Sequence, residues 1–224
     1  MVEAVYLQPG RFIESEDETI VAFARQTLAG AEAAGDVDRA VRLYMAVRDG
    51  ILYDPYVPFA RPESYSARHC LATGRGFCVP KAALLAALAR SSGIPARLGF
   101  ADVRNHLVTP RLLEVNGSDI LRWHAYTDLF LDGKWVKATP AFNLGLCERF
   151  GVKPLEFDGR EDSIFHPYDV SGRRHMEYVL DRGTYADVPY EEILETARRH
   201  SPLLLRDDAF AGARGFAAEA TPEQ

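Results

Sequence analysis

Apolar positions along the chain fall into two regimes, helical spacing first and strand-like runs later. Ser15-Glu16-Asp17-Glu18-Thr19 followed by Ile20, Val21, Phe23, Ala24 and Leu28 predicts a helix with an acidic first turn, ending near Gly30 or Gly35. A second helix opens at Asp36 or Asp38, with Val41, Leu43, Tyr44, Val47, Ile51 and Leu52 at helical spacing until Asp54-Pro55 stops it. Residues 55–65, with three prolines and several aromatics, read as an ordered, irregular connection. After Cys78, Pro80 suits a first helical turn, Ala82 to Ala89 is apolar all round, and Gly93 with Pro95 ends the segment. A helix with no polar face is buried, so this one is expected to be the spine of the core. Beyond it, Ala96 to Val103, His106 to Val108 and Leu121 to Leu131 read as strands. Asp132-Gly133 supplies a hairpin turn before Lys134 to Thr139 returns. Met176 to Val188 is expected to add a strand pair and Tyr190 to His200 a last helix, stopped by Pro202. Helices followed by antiparallel strands define an α+β fold, and residues 1–224 read as a single domain.

Composition narrows the class. With 224 residues, 47% of them hydrophobic, the chain can bury a substantial core, which a disordered protein could not. The longest apolar run, Ala82 to Ala89, is far shorter than the roughly 20 residues of a membrane span. A net charge of −6 without a basic stripe argues against nucleic acid or an anionic membrane as partner. The N-terminus lacks the basic start and apolar stretch of a secretory signal, so the cytoplasm is the expected compartment and the three cysteines are expected to be reduced.

Gly74-Arg75-Gly76-Phe77-Cys78-Val79-Pro80-Lys81 places a thiol at the start of the buried helix. Unpaired N–H groups there carry positive partial charge, which lowers a cysteine pKa and supports an oxyanion forming beside the sulfur. Cys78 therefore reads as a nucleophile or, more plainly, as a small buried apolar residue. Cys70 and Cys147 have no such setting and read as packing residues. No cysteine and histidine spacing matches a zinc site. His69, His106, His166, His175 and His200 read as surface or structural.

A base for the thiol is offered by Arg122-Trp123-His124-Ala125-Tyr126-Thr127-Asp128. With a two-residue turn at Asp132-Gly133, Leu131 pairs with Lys134, so Tyr126 faces Thr139 and His124 faces Ala141. Thr139 then lies diagonal to His124, within side-chain reach. Asp128 falls opposite Lys137 as an expected surface ion pair, about 13 Å along the strand from His124 and too far to orient its ring.

The order of these segments resembles the transglutaminase-like superfamily of papain-type cysteine enzymes, over about residues 65–143. Gly76-Phe77-Cys78 with Ala82 and Leu85 to Arg90 is similar to its nucleophile helix, and Ser92-Gly93-Ile94-Pro95-Ala96-Arg97 to the continuation. Trp123-His124-Ala125-Tyr126 is similar to its base strand, and Asp132-Gly133-Lys134-Trp135-Val136 to its hairpin. The resemblance implies a papain-like core, a nucleophile helix packed on an antiparallel sheet that carries the base. One departure stands out. Where that family has Val-x-x-Asp-Pro, with the aspartate completing a triad, this chain has Val136-Lys137-Ala138-Thr139-Pro140. A threonine hydroxyl can accept the imidazole N–H but supplies no negative charge. Asn143 is the alternative orienting group.

The resemblance implies a thiol hydrolase of protease or amidase type. Cys78 attacks a peptide or small amide, His124 shuttles the proton, Thr139 or Asn143 orients His124, and no cofactor or metal takes part. The backbone N–H of Cys78 is the best candidate oxyanion donor. Resolution by water, as in a hydrolase, is expected over resolution by an amine. The rival is a catalytically inactive member of the fold that binds a peptide or partner protein. Arg97 reads as a structural salt-bridge former, Trp135 as hairpin core, and the segment from Leu144 to Asp187 as a cover over part of the cleft that holds specificity.

Overall fold

The structure, a computed structural model, describes residues 2–31, 34–165, 168–213 and 215–219. Three N-terminal helices, α1 (Glu18–Thr27), α2 (Asp36–Gly50) and α3 (Ala67–Thr73), surround α4 (Cys78–Ser91). Asp17 starts α1 by accepting the Thr19 and Ile20 N–H groups, and Ser66 starts α3 by accepting that of His69. These are side-chain substitutes for the missing turn of backbone acceptors. Gly74, at φ 66°, ends α3 in the left-handed conformation that glycine adopts without Cβ strain. Two short strands, β1 (Leu52–Tyr53) and β2 (Arg75–Gly76), pair in parallel and carry the chain into α4.

Every residue of α4 from Val79 to Arg90 is buried, as the apolar sequence requires. One face lies on a four-stranded antiparallel sheet formed by β3 (Ala96–Asn105), β4 (Ile120–Leu131), β5 (Lys134–Ala138) and β6 (Met176–Tyr185). The spatial order is β5-β4-β3-β6, and Thr127 on β4 donates its hydroxyl to the Ala82 carbonyl of α4 at 2.9 Å. Asp132 and Gly133, at φ 48° and 85°, turn β4 into β5 with the twist a tight hairpin needs. Leu131 pairs with Lys134 and Thr127 with Ala138, the register expected from the turn.

Four expectations are corrected. His106 to Val108 is not a strand: β3 ends at Asn105, and Thr109 caps α5 (Pro110–Asn116) by accepting the Leu112 N–H at 3.3 Å. Thr-Pro here is an N-cap followed by a first-turn proline, not a break. Met176 to Val188 yields one strand on the β3 edge rather than a pair. Asp128 does face Lys137 in register, but it is 2% exposed and its ion partner is Arg97 on β3, at 3.1 Å. Lys137 lies over the Tyr126 ring instead, at 5.0 Å. Trp135 is half-buried, stacked with Arg97 at 4.1 Å and edge-on to Tyr6, on the outside of the hairpin rather than in its core. The chain closes through α6 (Leu144–Phe150), α7 (Tyr190–His200) and α8 (Phe216–Glu219). Among the described residues no helix is long and apolar enough to cross a membrane.

Candidate active site

Cys78 is the first residue of α4 and lines an open pocket. The pocket is largely apolar. Phe59 and Phe77 come from the approach to α4, Leu112 from α5, and Ile193, Ala197 and Leu204 from α7 and the turn after it. None of the described residues of 144–187 lines this pocket, and part of its wall is α7 with the Pro202–Leu205 turn. The 144–187 segment instead covers His124, whose ring packs on Phe165 at 4.8 Å, with Phe142 and His175 next in the stack.

Burial pushes the Cys78 thiol up to about 11, and the N–H groups of Ala125, Val79 and Cys78, which pull it down, do not offset that. The sequence-based expectation of a lowered thiol pKa is therefore reversed, because desolvation outweighs the helix start. Burial likewise drives the His124 imidazole down to about 3. At neutral pH both groups are uncharged. The influence of the Ala125 amide sets the sulfur against the peptide that follows His124, yet no hydrogen bond joins the thiol to the imidazole among the described residues.

His124 Nε2 and Thr139 Oγ1 are both buried and both lack a hydrogen-bond partner. The observed register, continued one step past Ala138, sets Thr139 opposite Tyr126 and diagonal to His124. Asn143 Oδ1 accepts the Tyr53 N–H at 3.1 Å and so anchors β1. Cys70 and Cys147 are both 1% exposed and packed in the core. His69 and His200 are exposed, and His106 pairs with Glu177 at 3.4 Å. His166 lies outside the described residues. Among those described, no group of three or more His, Cys, Asp or Glu could hold a metal ion.

Two side chains with no signal in the motifs complete the surroundings. Lys81, one turn after Cys78, is fully buried and donates to the Arg48 carbonyl at 3.0 Å and to that of Ile51, tying the end of α2 to α4. Burial lowers its pKa to about 7. Arg122, two residues before His124, lines the Cys78 pocket, and its only visible sign was a charge on the strand that carries His124.

A helix carrying a cysteine at its head, laid on an antiparallel sheet whose central strand carries the histidine, defines the class of papain-like thiol proteins. The chain belongs to the transglutaminase-like superfamily, whose sequence model matches residues 21–140, more than half of it. Among solved structures, the chain is similar to a proposed cysteine protease from Cytophaga hutchinsonii, at 17% identity and a TM-score of 0.46, over 81% of this chain and 46% of that one. The chain thus spans about half the length of that protein. No curated protein matches it.

Proposed function

We propose that the chain is a cysteine hydrolase of protease or amidase type, acting on a peptide or small amide in the cytoplasm. The observation that carries this reading is the position of Cys78, first in a buried helix and in the wall of an apolar pocket. Sulfur attack on the amide carbonyl forms the C–S bond while the thiol proton passes to His124. The N–H of Cys78 faces the oxygen that gains charge. Collapse breaks the C–N bond, His124 returns the proton to the departing amine, and water then cleaves the thioester. Because thiol and imidazole rest uncharged, proton transfer accompanies attack rather than preceding it. Thr139, whose hydroxyl has no partner, is the group available to accept the imidazole N–H and set its tautomer.

A second reading, a catalytically silent member that binds a peptide or partner protein, draws support from Thr139 at the aspartate position and from the uncharged resting pair. Amide, ester and glutamine-amine substrates offered to the purified chain separate the two. The hydrolase reading expects product release that Cys78→Ala abolishes. No turnover by the unaltered chain, or equal turnover by Cys78→Ala, supports the silent reading.

A further inference from the structure

The pocket beside Cys78 contains a charged group, the Arg122 guanidinium, to which no carboxylate among the described residues is bonded. Between Ala101 and Val103 the β3–β4 register slips, so that Arg122 and Trp123 together oppose Asp102. Trp123 takes a φ of 59° and both side chains turn into the pocket wall. Such a bulge re-aims side chains beside a site. Asp102, the carboxylate nearest in register, is unavailable to Arg122: Arg182 grips it at 2.5 and 2.8 Å, and the Trp123 N–H adds a bond at 3.1 Å. Two further polar side chains of the wall, Asn116 and Thr196, are hydrogen-bonded within the protein. Asn116 donates to the Ser118 and Ile120 carbonyls and accepts from Ser201, while Thr196 accepts from the Trp123 indole and donates to the Glu192 carbonyl. Arg122 Nη1 is buried with no partner. Arg122 as a whole is half-buried, and a planar carboxylate is the group that a guanidinium fork fits best.

We propose that Arg122 is the carboxylate-binding residue of this pocket, so that the ligand is an amide carrying both an apolar group and a carboxylate. The apolar part packs among Phe59, Phe77, Leu112 and Ile193 while the carboxylate meets Arg122. The assignment rests on the reading of Cys78 as the nucleophile only for what happens after binding. A free peptide C-terminus and a small N-acyl amino acid share this chemistry.

Calorimetric binding to the full chain carrying Cys78→Ala tests the proposal without turnover. The probes are N-acetyl-phenylalanine, its neutral carboxamide, and the tripeptide Ala-Ala-Phe. The expected result is that at least one carboxylate probe binds roughly tenfold or more tighter than the carboxamide, and that Arg122→Gln removes the preference. Which carboxylate probe binds tighter separates the peptide terminus from the small acyl amino acid. A second measurement on the unaltered arginine guards against a folding defect: the carboxylate's affinity should fall as salt rises while the carboxamide's does not. Equal binding of charged and neutral probes, no binding of either carboxylate, or a preference that survives Arg122→Gln would overturn the assignment. A carboxylate preference in a chain that cleaves no amide would refute the nucleophile reading and leave this one standing.

Discussion

Two polar atoms, His124 Nε2 and Thr139 Oγ1, are buried without partners on neighbouring strands, and stability gives no reason for either. An unsatisfied buried hydroxyl costs about 1–3 kcal/mol, so its removal should be neutral or mildly favourable. Thr139→Val is therefore expected to leave the urea midpoint unchanged or raised, while lowering kcat about tenfold if the hydroxyl orients the imidazole. A loss of stability with kcat intact would instead make Thr139 an ordinary packing residue. The placement of Cys78 at the head of α4, of His124 on β4 and of Thr139 just past β5 was legible in the sequence, because motif order and hairpin arithmetic locate them. Arg122 was not, because its importance comes from Asp102 being taken by Arg182, a long-range pairing that no local pattern encodes. Asp128 misled for the same reason: its hairpin neighbour Lys137 was visible, whereas Arg97 on β3 was not.

At the level of elements, α4 and the β4–β5 hairpin were readable almost residue by residue, since an all-apolar helix and an Asp-Gly turn each permit few structures. The short α3 and α5 were not, because helices of seven residues carry too little periodicity and declare themselves only by caps such as Ser66 and Thr109. Pairing of β3 with β4 depends on a close approach that sequence pattern does not announce: a Cβ on Gly99 would overlap the Tyr126 ring lying across it. Gly99→Ala should destabilise the chain by about 1–3 kcal/mol in urea unfolding, and the penalty should shrink by at least about 1 kcal/mol when Tyr126→Leu clears the space. An equal penalty in both backgrounds would show that the ring does not set the approach of the strands.

For the whole molecule, burial of uncharged titratable groups makes stability depend on pH at both ends. His124 falls to about 3, so between its ordinary 6.5 and 3 the unfolded chain binds a proton that the folded chain does not. Stability is then lost on acidification, by up to roughly 5 kcal/mol from this group. On the alkaline side the thiols of Cys70, Cys78 and Cys147 rise from 9.0 to about 12, 11 and 11. Their contribution is present below pH 9 and lost as pH rises through 11. Lys81, lowered from 10.5 to about 7, works in the opposite sense, adding stability as pH rises from 7 to 10.5 and so offsetting the three thiols only in part above pH 9. Melting temperature should therefore decline on both sides, and His124→Gln should flatten the acid limb. An unchanged acid slope in that variant would place the sensitivity elsewhere. The central claim, that Cys78 is an acyl-accepting nucleophile in its pocket, is met most directly by rapid-quench mass spectrometry after mixing the chain with the p-nitrophenyl ester of an apolar acyl group. The account predicts a transient acyl mass on the peptide containing Cys78, absent in Cys78→Ala. Ester cleavage without that adduct, or with the acyl group on Cys70 or Cys147, would contradict it.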